Sequence, residues 1–199
     1  MKKTTYQRLL VLAWAVLMVL PMALFTSCSE SDEEVNEFDN WQERNDTYFN
    51  EVYSRAKGIN SGEWRVFPKW SLNAEVATKA EDYIVVQVLE SGSGSGCPLY
   101  TDSVSVHYSG RLIPSVSYPE GYEFDKSWIG SYQAAVSKPY SGRVYSFVDG
   151  FATALQHMHV GDHWKVYIPY QQGYGSSSGS IPAYSTLIFD LRLAGCYKP

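Results

Sequence analysis

The run Gly150-Phe151-Ala152-Thr153-Ala154-Leu155-Gln156-His157-Met158-His159-Val160-Gly161-Asp162 decides the architecture of this chain. Phe151, Ala154, Leu155 and Met158 recur at three- and four-residue steps, which predicts a short helix from Gly150 to about Met158 with one buried face. Asp149 stands at the expected N-cap, and Gly161-Asp162 predicts a turn. Beyond it, His163 to Pro169 reads as a strand, Tyr170 to Ile181 as a Gly/Ser-rich loop, and Tyr184 to Cys196 as the last strand. Upstream, Asp82 to Glu90 is β-branched and strand-like. Asp102 to Leu112 is a second strand with Val104, Val106 and Tyr108 on one face. Between them, Ser91 to Gly96 alternates Ser and Gly and predicts a flexible turn. Glu123-Phe124-Asp125 follows a loop after Pro114, and residues 126–143 lack a clean period and read mostly as loop. Several antiparallel strands with one short helix make an α+β fold, a sheet packed on that helix.

Further out, Phe38, Trp41, Asn45, Tyr48, Phe49, Val52, Tyr53 and Ala56 follow helical spacing, with Asp39 or Asn40 as cap and Gly58 as stop. One apolar face must pack on something. Packing on its own domain is favoured over a dimerisation arm, because a single helix offers a small interface. Trp64 to Phe67 and Trp70 to Leu72 fit either strand or loop.

Residues 1–27 have the order of an export signal. Lys2, Lys3 and Arg8 are the basic start, Leu9 to Phe25 the apolar run, and Thr26-Ser27 the small-residue exit before Cys28. The cysteine makes this resemble a bacterial lipobox, which implies lipidation at Cys28 and a membrane tether through the lipid anchor. An uncleaved span would want about 20 apolar residues, and this run is shorter and holds Pro21. Residues 28–37 form an acidic linker. It is either a solvated spacer or, from its likeness to acidic signals behind lipidated cysteines, a surface-sorting tag. The expected place is the bacterial outer membrane, facing the periplasm or the cell surface. Behind the linker, 38–80 is a helical extension and 81–199 the main domain.

Hydrophobic content of 45% against 19% charged residues marks a core-forming chain. A net charge of -5 argues against nucleic acid as a partner. Aromatics reach 15%, with 16 Tyr and 6 Trp, which favours binding surfaces without naming a ligand.

The motifs themselves carry more. Val106-His107-Tyr108-Ser109-Gly110, Phe124-Asp125, the helical run, Tyr174-Gly175, Ile181-Pro182 and Phe189-Asp190 occur in one order. From Asp82 to Ala194 the chain resembles the FKBP-type peptidyl-prolyl isomerases, as a bacterial lipoprotein form. The resemblance implies a twisted antiparallel sheet wrapped on one short helix, with an N-terminal helical extension and an aromatic pocket for a proline ring. It implies site roles for Tyr108, Phe124, Asp125, Phe147, Val148, Phe151, Tyr174, Ile181 and Phe189, with Tyr140 as a further wall residue. Phe151 stands where the family usually has a tryptophan floor. Proline-containing polypeptides are the implied partners, macrolides the implied drug class. Rotation about an X–Pro bond needs no nucleophile, metal or cofactor, only preferential binding of the twisted amide.

In that fold the strand after Cys97 and the strand ending at Cys196 are neighbours, so a Cys97–Cys196 disulfide stands against two free thiols. His157, His159 and His163 are spaced so that their side chains should diverge, which disfavours metal. His157 is expected to supply charge near a helix C-terminus. Two other functions compete with catalysis: a non-catalytic peptide-binding or chaperone module on the same fold, and glycan binding through Trp64, Trp70 and exposed tyrosines.

Overall fold

The computed structural model describes residues 36–199 other than 60 and 178. The signal reading of residues 1–27, Cys28 and most of the acidic linker lie outside the described residues. Among the described residues, seven antiparallel strands build one sheet: β1 (Trp64–Pro68), β2 (Tyr83–Glu90), β3 (Ser103–Arg111), β4 (Glu123–Lys126), β5 (Tyr140–Arg143), β6 (His163–Ile168) and β7 (Leu187–Tyr197). The order is β1-β2-β6-β7-β3-β4, and β5 also pairs with β3. β4 and β5 divide one edge of β3: β4 takes Ser109 to Arg111, and β5 takes Ser103 to Val106. The intervening loop, 127–139, leaves the sheet between them.

Side chains alternate across a strand, so register assigns each residue to a face. Trp164, Leu191 and Tyr108 lie in one row, and Val166, Phe189 and Gly110 in the next. That inner face packs on α2 (Asp149–Leu155), whose Phe151, Ala154 and Leu155 are buried as the spacing predicts. Gly150 is required there, because a Cβ would run into Ile168 of β6. The outer face shows Lys165, Asp190 and Ser109 in one row, and His163, Arg192 and His107 in the next.

The N-terminal helix α1 (Trp41–Gly58) packs against its own domain, through β1 and β2. Trp41, Phe49, Val52 and Ala56 enter the same core as the sheet. Trp41 Nε1 donates to Ser185 Oγ at 2.9 Å, and Asn45 Oδ1 accepts the Thr186 N–H at 2.7 Å. These bonds hold the backbone just ahead of β7. With Tyr184 at φ 62°, they explain why the last strand starts at Leu187 and not at Tyr184.

Four local expectations need correction. Asn40 does precede α1, but its side chain makes no cap bond. Val148 caps α2, and Asp149 is its first helical residue, paired with Lys69 Nζ at 2.7 Å; a carboxylate there suits the positive helix end. The Ser/Gly segment is pinned: Gly92 N–H donates to Asp162 Oδ1 at 2.6 Å and Gly94 N–H to Val160 O at 3.1 Å. Residues 140–143, read as loop, form β5.

Candidate active site

Tyr108, Gly110 and Phe189 reach the inner face from β3 and β7. β4 adds Phe124 and Asp125, the turn into α2 adds Phe147 and Val148, and α2 adds Phe151. The rings interlock. Phe147 lies parallel to Phe151, with centroids 4.7 Å and planes 13° apart. Phe189 meets Phe151 edge-on at 5.0 Å and Phe124 at 5.7 Å. Tyr108 meets Phe151 and Phe189 edge-on at 5.8 and 6.0 Å. Tyr140 of β5 joins this wall, 5.9 Å from Phe147 and 6.2 Å from Tyr108. Edge-on and offset stacking match positive ring edges to negative faces, contributing about 0.5–1.5 kcal/mol per pair beyond area burial.

Gly110 lets the walls close. A Cβ there would stand 2.6 Å from Phe124 Cζ and 2.7 Å from Phe189 Cε1. Phe151 is only 3% exposed, so it is a floor beneath Phe147 and not an open platform. The accessible wall is formed by the half-buried Tyr108, Phe124 and Phe147.

Polar groups stand at the rim. Tyr108 Oη donates to Asp125 Oδ2 at 2.8 Å. Burial first, and then this carboxylate acceptor, push the Tyr108 phenol well above its ordinary range, so it stays protonated. The Val148 N–H has no acceptor among the described residues, which leaves it free for a ligand carbonyl. Tyr174, 52% exposed, sits on the loop before β7; burial and the charge of Asp125 push its phenol up. Ile181, at the far end of that loop, is 6% exposed. Tyr174 and Ile181, with Ser177, Gly179 and Ser180, line a hollow of about 220 Å³. The structure thus gathers Tyr108, Phe124, Phe147, Phe151 and Phe189 into one cluster. Tyr174 and Ile181 line a second hollow, tied to the cluster electrostatically through Asp125. Such an enclosure offers an apolar wall, hydroxyl donors and one free backbone N–H.

The family profile described as FKBP-type peptidyl-prolyl cis-trans isomerase matches residues 97–194. The FKBP-type 22 kDa peptidyl-prolyl cis-trans isomerase of Escherichia coli is 34% identical over 152 residues, 72% of this chain and 68% of that protein. This chain belongs to the FKBP-type peptidyl-prolyl cis-trans isomerase family. The Trypanosoma cruzi protein named macrophage infectivity potentiator is 35% identical over 131 residues, 65% of this chain and 61% of its own length. The crystal structure of FkpA from Escherichia coli superposes with a TM-score of 0.57 at 26% identity, covering 81% of this chain and 63% of that one. The chain therefore spans roughly two thirds of the length of these relatives.

Within this FKBP-type domain the histidines diverge. His157 stacks on Phe67 at 4.1 Å, and burial pushes its pKa down, so it is a neutral packing residue and not a charge at the helix end. His159 Nδ1 lies 3.7 Å from Asp162 Oδ2, and His163 Nε2 lies 2.9 Å from Asp190 Oδ1. Among the described residues, Cys97 and Cys196 are free thiols, and the expected bridge between them is not formed. Register explains it: the residue of β3 opposite Cys196 is Val104, while Cys97 lies ahead of that strand, 3.8 Å from His159 Nε2. Cys196 Sγ approaches Asp102 Oδ2 at 3.7 Å instead. Trp64 stacks on Tyr167 and Trp70 on Tyr100.

Proposed function

We propose that the chain is a lipid-anchored prolyl isomerase that acts on exported polypeptides from the bacterial outer membrane. The observation that carries the catalytic reading is the ring enclosure around Phe147 and Phe151 with the Tyr108–Asp125 hydrogen bond on its rim. An X–Pro amide crosses a barrier of about 18–20 kcal/mol because rotation breaks resonance. The twisted amide has a less polar carbonyl and a more pyramidal nitrogen. It therefore gains from a dry aromatic wall, while the planar ground state gains less, and that difference lowers the barrier. In this reading Tyr108, Phe124 and Phe147 wrap the proline ring, backed by the buried Phe189 and Phe151. The Val148 N–H and the Tyr174 hydroxyl hold the peptide backbone, and Ile181 closes the flap. Tyr108 and Asp125 orient the twisted carbonyl with fixed dipoles. The same aromatic enclosure makes macrolides candidate ligands.

The anchor reading rests on Lys2, Lys3, the apolar run and Thr26-Ser27-Cys28, and the sorting reading on Asp32-Glu33-Glu34. Metabolic acyl labelling of wild type and Cys28→Ala tests the first: equal labelling refutes it. Protease shaving of cells carrying neutralised 32–34 tests the second. For the site, Tyr174→Phe keeps the ring and removes one hydroxyl. Loss of a neutral hydrogen bond, about 0.5–1.5 kcal/mol, should lower kcat/KM several-fold at unchanged Tm. Unchanged kcat/KM removes Tyr174 from the mechanism.

A further inference from the structure

A ribbon of exposed aromatic rings lies beside the pocket, outside the residues that enclose the proline. Tyr145 sits on the 3-10 turn Val144–Ser146, two residues ahead of the pocket wall Phe147. Its ring centroid is 6.0 Å from that of Tyr100, and Tyr100 stacks on Trp70 at 4.0 Å with planes 28° apart. Tyr145 is 50% exposed and Trp70 38%, and Leu99, next to Tyr100, is 62% exposed. Single apolar side chains on a surface are ordinary, but contiguous ones mark interaction sites.

Both ends of the ribbon are fixed to the frame of the pocket. At the near end, Ser146 packs with Tyr140 and Phe147 around Gly142, where a Cβ would meet all three at 3.1–3.5 Å. At the far end, the Trp70 N–H donates to Thr153 Oγ1 at 3.1 Å, and Lys69 Nζ pairs with Asp149 Oδ2 at 2.7 Å. Asp149 directly follows Val148, whose free N–H stands at the pocket, and Thr153 lies one turn along α2. A chain held at the Val148 N–H can thus leave the pocket past Asp149 and Lys69 toward Trp70 and Tyr100. The polar groups among the rings are already engaged. Thr153 Oγ1 donates to Asp149 O at 2.8 Å, Ser146 Oγ to Arg143 O at 2.6 Å, and Arg143 Nη1 to Thr101 O at 3.2 Å. What the ribbon offers is mainly ring surface and the Leu99 side chain, which suits apolar side chains better than the hydroxyl-rich surface of a sugar.

We propose that Tyr145, Tyr100 and Trp70 form a docking subsite for the client segment that flanks the proline, an extended stretch carrying aromatic or large aliphatic side chains. The proposal deepens the isomerase reading and rests on it for the proline in the pocket. Centroid steps of 6.0 and 4.0 Å match about three residues of extended chain at ~3.3 Å each. Alternate side chains of such a segment face one way, so its first and third residues lie on the rings. These contacts are remote from the twisting amide and equally strong before and during rotation. They therefore lower KM and leave kcat unchanged. Clients are selected by the sequence flanking X–Pro, not by X alone.

The test compares a Leu-Pro tetrapeptide with the same peptide extended at either end by Phe-Ala-Phe or by Ser-Ala-Ser. It uses the chain from Ser29 onward, which contains the whole compact unit Asn36–Pro199. Fluorescence anisotropy reads affinity, and exchange spectroscopy reads kcat and KM. Phe-Ala-Phe at one end should tighten binding and lower KM by roughly fivefold or more, with kcat unchanged, and Ser-Ala-Ser should not. Trp70→Ala and Tyr145→Ala should each remove most of that gain, with a native amide spectrum and an unchanged kcat/KM for the tetrapeptide, which is too short to reach the rings. Tyr145→Phe should keep the gain. Affinity that depends on these rings supports the proposal even where exchange stays at background, so the isomerase reading can fail separately. No gain from either Phe-Ala-Phe extension, an equal gain from Ser-Ala-Ser, or a gain untouched by both alanine variants overturns the proposal; intact tetrapeptide exchange then leaves the isomerase reading standing. Chitotriose shifting the Trp70 indole N–H resonance where the extended peptide does not would overturn it in favour of a glycan platform.

Discussion

Gly110→Ala puts the aromatic wall under a defined load. The added methyl would lie 2.6 Å from Phe124 Cζ and 2.7 Å from Phe189 Cε1, about 0.8 and 0.7 Å short of the 3.4 Å at which ordinary contact begins. Phe189 is 4% exposed and already wedged against Phe151, so it has little room to retreat. Phe124 is half-buried on a four-residue edge strand and can swing outward. The strain should therefore be relieved by opening the pocket. Overpacking of this kind costs about 1–3 kcal/mol. At roughly 2–4 °C per kcal/mol for a domain of this size, the Tm should fall by several degrees. Displacing a wall by most of an ångström should cost more in rate, at least tenfold in kcat/KM, since misplacement near 1 Å can cost ~100-fold. Cis-to-trans exchange of a Leu-Pro tetrapeptide and a thermal melt read the two effects. A several-degree loss of Tm with unchanged kcat/KM would show that this wall does not hold the proline, and no change in either would refute the packing argument.

Other outcomes follow from single contacts. Tyr108→Phe deletes the donor to Asp125 while keeping its ring contacts, so kcat/KM should fall several-fold with Tm nearly constant; an unchanged rate removes the pair from the mechanism. Asn45→Ala leaves the buried Thr186 N–H without its acceptor, a loss of about 1–3 kcal/mol, and should lower Tm by several degrees; no change would mean α1 is not integral to the fold. Burial holds the His157 pKa below its ordinary 6.5, so the unfolded chain takes up this proton first as pH falls. That stability is present above about pH 6.5 and shrinks below it, by up to ~1.4 kcal/mol per pH unit. His157→Phe keeps the stacking on Phe67 and should flatten the fall of Tm on acidification; parallel curves refute it. Thiol titration of the unreduced, unfolded chain from Ser29 onward should count both Cys97 and Cys196, and a count of zero would restore the disulfide.

The strands β2, β3, β6 and β7 were legible because each is rich in β-branched or other apolar residues and buries one or both faces. α1 was legible because Trp41, Phe49, Val52 and Ala56 keep helical spacing. β5 was not, since Tyr140 to Arg143 is an edge strand with mostly exposed side chains and therefore no hydrophobic period. The stiffness of the Ser/Gly segment depends on Asp162, seventy residues away from Gly92, and no local pattern encodes that bond. The site residues were reached through motif order and not through periodicity, which treats Phe151 and Phe189 as ordinary core. What neither route could supply is the parallel stacking of Phe147 over Phe151. That stacking closes the floor and makes Phe151→Trp a crowded substitution, not a simple restoration. The outer-face row was invisible for a related reason: Lys165, Asp190 and Ser109 meet only through the register of three strands.

The account stands most directly on catalysis itself. Exchange spectroscopy on a Leu-Pro tetrapeptide, with graded amounts of the chain from Ser29 onward, measures it without a coupling enzyme. The account predicts an exchange rate that rises linearly with protein concentration and drops at least tenfold for Gly110→Ala. A folded wild-type chain that binds the peptide at its aromatic pocket yet leaves the exchange rate at background would contradict it, and would make the domain a binding module.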